Sequence, residues 1–288
     1  MILGGVLLGA SAFWFHSRPY GAAQLVQMLP PDHSSYVYID VNALRSLGIL
    51  DLLAGAKSLE EADYEKFVKD TGFNYRTDLD SVGVAFREGE VYYAAQGRFD
   101  WAKLEAYAPA HGGKCERFMC TVAGSEPGRN VTYYMPRTGI LGVAVSKTST
   151  AGDMVAPGTW RTPPRIENAG VWVSVLPEVL ADLSKLPAAS RLFLSPLAQA
   201  NSAIFTLSGA QGNKDSFELR MQATAKDAAA ATQFATQYKD LTTGLSKMLK
   251  NDAGDLGAVL AGGQFSTKDA DVMGTWPVSR SLLQVLAK

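Results

Sequence analysis

Three histidines, two cysteines and several acidic clusters are the residues of this 288-residue chain with the chemistry to bind a metal or move a proton. His16, His33 and His111 stand too far apart to supply a local ligand pair. His16 and His33 fall in connecting segments; His111 ends a helical pattern, where a cation complements the helix dipole. Cys115 and Cys120 lie in one strand-like stretch which, if extended, holds them about 16 Å apart, against about 5.5 Å for a bridge. Two free, half-buried thiols are expected, since a disulfide would require a turn within Glu116–Met119. The C-x₄-C spacing also lacks the geometry of a C-x-x-C redox pair.

The acidic clusters converge no better. Asp78-Leu79-Asp80 with Gly83 begins like a calcium loop, but Val82 and Gly89 occupy positions that need oxygen ligands, so a cap or turn is expected. Glu60, Glu61, Asp63 and Glu65 share one helical stretch and read as a solvated face rather than a general acid-base pair. Asn130-Val131-Thr132 is a glycosylation sequon in form alone. Gly254-Asp255-Leu256-Gly257 and Gly262-Gly263 lack a phosphate-cradling pattern and read as turns. No Gly-x-Ser-x-Gly elbow or Ser-x-x-Lys motif with its partners occurs. The expectation is therefore no catalytic residue, no cofactor and no metal, in a protein that is not an enzyme.

With 27 basic and 28 acidic residues the formal net charge is −1, which argues against a nucleic-acid partner. A hydrophobic content of 47% marks a globular chain, and only 19% of residues are charged, a hint of export.

The elements that would position any site follow a repeating order. Ser202–Gly209 and Ser216–Thr224 alternate apolar and polar residues around a polar turn, which predicts a hairpin. A helix then runs to Lys250, with Ala228, Ala231, Phe234, Ala235, Tyr238, Leu241, Leu245, Met248 and Leu249 on one stripe and Thr224 as its cap. Earlier, Ser81–Glu88 and Glu90–Phe99 form a hairpin about Gly89, and Asp100 caps a helix to Ala110. Strand patterns at Tyr36–Val41 and Val171–Val175, each followed by a helix, precede the two hairpins. The order recurs at a period of roughly 130 to 150 residues, an internal duplication.

These patterns divide the chain into a signal or anchor segment (1–20), a connector (21–35), a first α+β module (36–147), a Pro-rich linker (148–168) with Pro157, Pro163 and Pro164, and a second module (169–288). Each module is expected to be an antiparallel sheet with helices on one face, in the ferredoxin-like, split βαβ arrangement. The uncharged stretch Ile2–Phe15 is too short as written to span a bilayer, about 21 Å of helix against about 30 Å. The interfacial character of Trp14, His16, Arg18 and Tyr20 nevertheless favours a membrane segment over a buried helix. Ala10-Ser11-Ala12 resembles a cleavage site, and the basic front end would then lie upstream.

Leu29-Pro30 followed by Tyr36-Val37-Tyr38-Ile39-Asp40, together with Tyr64, Phe67, Thr71-Gly72-Phe73 and Asp78-Leu79-Asp80, resembles a group of uncharacterised bacterial envelope proteins, frequent in acidobacteria. Those are built of an N-terminal anchor and repeated modules. The resemblance covers mainly residues 29–146 and implies location and build, with no catalytic residues to carry over.

Three functional readings result, the last of them an enzyme of unfamiliar type whose site would be assembled from residues distant in sequence. The first is a non-enzymatic protein of the bacterial cell envelope, membrane-anchored through residues 2–15 or exported, acting by contact with other envelope proteins. Its contact face would be Thr232, Gln233, Thr236 and Gln237, an uncharged helix surface that desolvates at low cost. The second is a small-ligand or lipid-binding protein using the seam between modules, where Trp101, Trp160, Trp172 and Trp276 are the candidate lining aromatics.

Overall fold

The computed structural model describes residues 20–31, 33–50, 62–156, 166, 169–184, 191, 194–210, 215–248, 259, 261–281 and 283. Its strands are β1 (Ser35–Asp40), β2 (Leu79–Arg87), β3 (Glu90–Gly97), β4 (Lys114–Glu116), β5 (Met119–Ala123), β6 (Asn130–Arg137) and β7 (Ile140–Ser146), then β8 (Val171–Val175), β9 (Ser202–Gly209), β10 (Ser216–Thr224), β11 (Gln264–Lys268) and β12 (Asp271–Ser279). All twelve belong to one sheet, in the order β11-β12-β10-β9-β8-β1-β2-β3-β7-β6-β5-β4. Every pairing is antiparallel.

This corrects the expected pair of ferredoxin-like modules. In a split βαβ unit the two strands joined by a helix are separated by a third strand. Here β1 and β2 are direct antiparallel neighbours, and so are β8 and β9. The strands that would have been module edges, β1 and β8, pair with each other from Tyr36↔Ser174 to Ile39↔Val171. Each thereby satisfies a row of backbone donors and acceptors that an edge would leave open. From that junction outward the pairing order is β1-β2-β3-β7-β6 on one side and β8-β9-β10-β12-β11 on the other, with the β4–β5 hairpin added beyond β6.

Strand alternation gives the sheet two faces. The back carries most of the helices. Asp40 caps α2 (Val41–Ser46) by accepting from the Ala43 amide at 2.8 Å, and α2 places Leu44 over Ile39, Val171, Leu207 and Phe217. Helices α3 (Ala62–Thr71) and α5 (Trp101–Ala110), with the short α4 (Tyr75–Asp78) between them in sequence, set Phe67, Leu104 and Ala108 against Cys120, Tyr133 and Val143. Beyond α6 (Pro177–Ala181), the long α7 (Ala228–Met248) buries Ala231, Phe234, Ala235 and Tyr238 over Met221, Ala223, Val272 and Trp276. These belong to the stripe its 3.6-residue periodicity predicts, although Ala228, expected on it, is exposed. Its cap is Asp227, which accepts from the Ala230 amide at 2.8 Å, whereas Thr224 donates to Asp271 at 2.8 Å.

On the front, α1 (Ala22–Val26) and the turn after it place Leu25, Val26, Met28 and Leu29 over Tyr38, Ala85, Tyr92 and Ala94. Residues 148–156 cross the same face: Ala151 and Val155 are buried, and the Ala156 amide donates to the Met28 carbonyl at 2.8 Å. The apolar N-terminal helix expected at residues 2–15 lies outside the described residues. Among those described, no helix is long and apolar enough to cross a membrane, which leaves the expected transmembrane helix and signal anchor unsupported.

The cysteine expectation is also overturned. Cys115 and Cys120 form a disulfide, and they are directly opposed partners in the β4–β5 hairpin with Cα atoms 3.9 Å apart. The run that reads as one strand folds back at Arg117-Phe118, with Arg117 at φ 57°. The turn that a bridge requires is therefore present, and the extended-chain separation does not apply.

Candidate functional site

Register carries side chains from five strands into two adjacent rows on the front of the sheet. One row runs Tyr38, Trp172, Thr206, Arg220, Thr275 and the next Tyr36, Ser174, Ile204, Gln222, Met273, each residue paired with the one before it. Over these rows lies a cavity of about 710 Å³ that straddles the β1–β8 junction. The segment before β1 supplies one wall through Pro31, His33 and Ser34; Leu176, Pro177, Asn201 and Ser202 close the end where β8 stops and β9 starts. The volume is that of a small-molecule site.

The walls are held by specific bonds. The Tyr36 hydroxyl donates to the Pro30 carbonyl at 2.6 Å, which fixes the connector against the sheet, and His33 sits in the left-handed region at φ 50°. The Leu176 amide donates to Ser35 Oγ at 3.2 Å, and the Asn201 amide donates to the Thr224 carbonyl at 2.8 Å. Trp172 is 2% exposed, its indole forming part of the floor. Burial, followed by the charge of Asp40, pushes the neighbouring Tyr38 phenol above its usual pKa. Arg220 and Glu218 point to the same face two residues apart, and Arg220 Nε donates to the Glu218 carboxylate. Both are substantially exposed, so the pair adds little to stability but orients the guanidinium.

Apolar surface from Trp172, Ile204, Met273 and Ile166 therefore alternates with the hydroxyl and amide groups of Ser34, Ser174, Thr206 and Gln222. The arrangement suits non-covalent recognition: an apolar body against the floor and hydrogen bonds at fixed points. His33 and Arg220 are the basic groups among the described lining residues, and Tyr36 adds a phenol. Among the described residues there is no group of three metal-capable side chains.

Of the described aromatics expected at the seam, Trp172 alone lines this cavity. Trp276 is on the back, edge-on to Tyr238 at 6.1 Å beneath α7; Trp101 opens α5, edge-on to Tyr133 at 6.4 Å; Trp160 lies outside the described residues. Thr232, Gln233, Thr236 and Gln237 are exposed on α7, away from the sheet. The Thr232 and Thr236 hydroxyls donate to the Ala228 and Thr232 carbonyls at 2.9 Å. His111 ends α5 and shares a 2.9 Å hydrogen bond with Asp70 of α3, while Asp78 and Asp80 pair with Arg98 at 3.3 and 3.9 Å. A second concavity of about 470 Å³ lies on the back beside His111, walled mainly by Leu104, Val122, Val131 and Leu141. Lys66, Tyr107, His111, Ser125 and Tyr133 add polar groups to its lining.

Ser174, Thr206, Arg220 and Gln222 are among the lining residues that sequence reading missed. Their signal is present as the polar member of each strand's alternation, but which residues share a row depends on register between strands distant in sequence.

No family model and no curated protein matches the sequence. Two solved structures resemble the fold at a distance: crystal forms IV and III of TP0453, with TM-scores of 0.48 and 0.47 and identities of 14% and 12%. The match covers 91% of this chain and 96% and 97% of those chains. At that level of similarity nothing is carried from that protein to this one.

Proposed function

We propose that this is a non-enzymatic binding protein of the bacterial cell envelope that holds a small, partly apolar ligand in the front cavity. The observation that carries the reading is the roughly 710 Å³ concavity at the β1–β8 junction, floored by two side-chain rows drawn from both halves of the sheet. The Cys115–Cys120 disulfide supports the location, because structural disulfides persist in oxidising compartments and are rare in reducing ones. The resemblance of residues 29–146 to envelope proteins points the same way. A neutral fluorescent probe, N-phenyl-1-naphthylamine, tests the reading. It binds the wild-type chain and brightens, whereas Ile204→Trp, which fills the floor, abolishes the signal with the circular-dichroism spectrum unchanged. Equal probe binding by both proteins would remove the cavity from consideration.

A second reading, contact with another envelope protein, draws on the exposed and uncharged surface of Thr232, Gln233, Thr236 and Gln237. Placing a charge there by Thr236→Lys should release a partner recovered from the native envelope at unchanged stability. A partner retained by that variant rejects the α7 surface.

A further inference from the structure

The two sides of the β1–β8 junction use corresponding front positions differently. Tyr38 and Trp172 are direct partners. Outward from Tyr38 the row continues Gly83, Ala94, Gly142; outward from Trp172 it continues Thr206, Arg220, Thr275. On the first side the absence of side chains seats the chain's own apolar segment: a Cβ at Gly83 would lie 3.3 Å from Leu29 and 3.5 Å from Val26. On the second side the corresponding strands floor the cavity, and the positions matching Gly83 and Ala94 carry a hydroxyl and a guanidinium.

Resting on the cavity's being a binding site, we infer that its ligand is an amphiphile with a single anionic head, a phosphate or carboxylate, received by Arg220, and an apolar body lying along Trp172, Ile204 and Met273. The described lining residues hold two basic groups, His33 and Arg220, and no carboxylate. The planar guanidinium matches the oxygens of either head group, and Thr206, on the neighbouring strand, and Gln222, two residues along the same face, add neutral hydrogen-bonding partners. Glu218 on one side of Arg220 offsets part of the local positive charge, which favours one anionic group over a polyanion. The apolar residues lie nearer β1 and β8 or in the adjoining row, so head and body have separate places.

Isothermal titration of the full chain with decyl phosphate, decanoate, decanol and inorganic phosphate tests this. Both anionic amphiphiles should bind at least about tenfold more tightly than decanol, the usual value of a hydrogen bond to a charged group. Arg220→Gln should bring them to the decanol level without altering decanol binding, and Arg220→Lys should retain part of the difference. Ile204→Trp, with Met273→Trp as a second blocking variant should the first fail to fold, should weaken every amphiphile. Equal affinities for decanol and decyl phosphate that Arg220→Gln leaves untouched would overturn the anionic head while the cavity stands. Inorganic phosphate binding as tightly as decyl phosphate would overturn the amphiphile in favour of a free anion. Absence of binding by every amphiphile would overturn both this inference and the function it rests on.

Discussion

Tyr38 and Trp172 face each other across the β1–β8 pair, both buried on the front of the sheet, at the point where its two halves meet. They lie within the β1–β8 pairing that makes one sheet of segments more than a hundred residues apart. Trp172→Ala should cost about 3–5 kcal/mol, as expected for truncating a buried indole, and Trp172→Phe much less. Urea denaturation followed by circular dichroism measures both, and a Trp172→Ala midpoint equal to wild type would disprove the role given to this pair.

The edge hairpin depends on its bridge only locally. Cys115 and Cys120 are five residues apart, and for so short a loop the chain-entropy contribution is about 2 kcal/mol. Thiol titration of the unfolded, unreduced protein should find no reactive cysteine. The Cys115→Ser/Cys120→Ser variant should keep the main sheet while hydrogen exchange accelerates in β4 and β5. Two titratable thiols in protein from an oxidising compartment would contradict the bridge.

Gly83 is where α1 comes closest to the sheet. Gly83→Ala needs Leu29 to give by a few tenths of an ångström and should cost less than about 1 kcal/mol. Gly83→Leu should cost about 1–3 kcal/mol or more by overpacking. Thermal melting distinguishes them, and a Leu variant as stable as wild type would mean that α1 does not seat there.

Stability should fall at both ends of the pH range. Burial pushes the Tyr133 phenol up to about 12, so the folded state favours its protonated form. That contribution is complete below the unfolded value near 10 and is lost as pH rises toward 12. Glu90 is held below the usual carboxylate value by hydrogen bonds from Ser146 and then from Tyr92. Its contribution is present above the unfolded pKa and is lost as pH falls through the folded one. Tyr133→Phe should flatten the alkaline limb of a stability profile and Glu90→Gln the acid limb. A limb unchanged by its variant would exclude that residue as a cause.

Local features were legible where a short stretch carries its own signal. The 202–224 hairpin and the buried stripe of α7 follow from residue periodicity, and Asp100 does cap α5, accepting from the Lys103 amide at 3.3 Å. The turn at Glu88-Gly89 lies where Gly89 signals it. The β4–β5 turn escaped notice because Arg117, a residue with no turn preference, takes the positive φ that a glycine would have announced. Of the site, Trp172 was visible as an aromatic near the boundary between halves; Arg220 and Thr206 looked like ordinary outward-facing strand residues.

The amino-acid order by itself determined most of the segments that become strands and helices and which face of each is apolar, because these depend on neighbours within a few residues. Whether the halves stand as two bodies or join as one sheet, which polar residues share a row, and that a cavity opens over Trp172 were decided only in three dimensions. The physical reason is that a strand specifies the face it buries but not the strand it pairs with. An exposed row of backbone donors and acceptors accepts any partner of compatible alternation, and β1 and β8 satisfy each other.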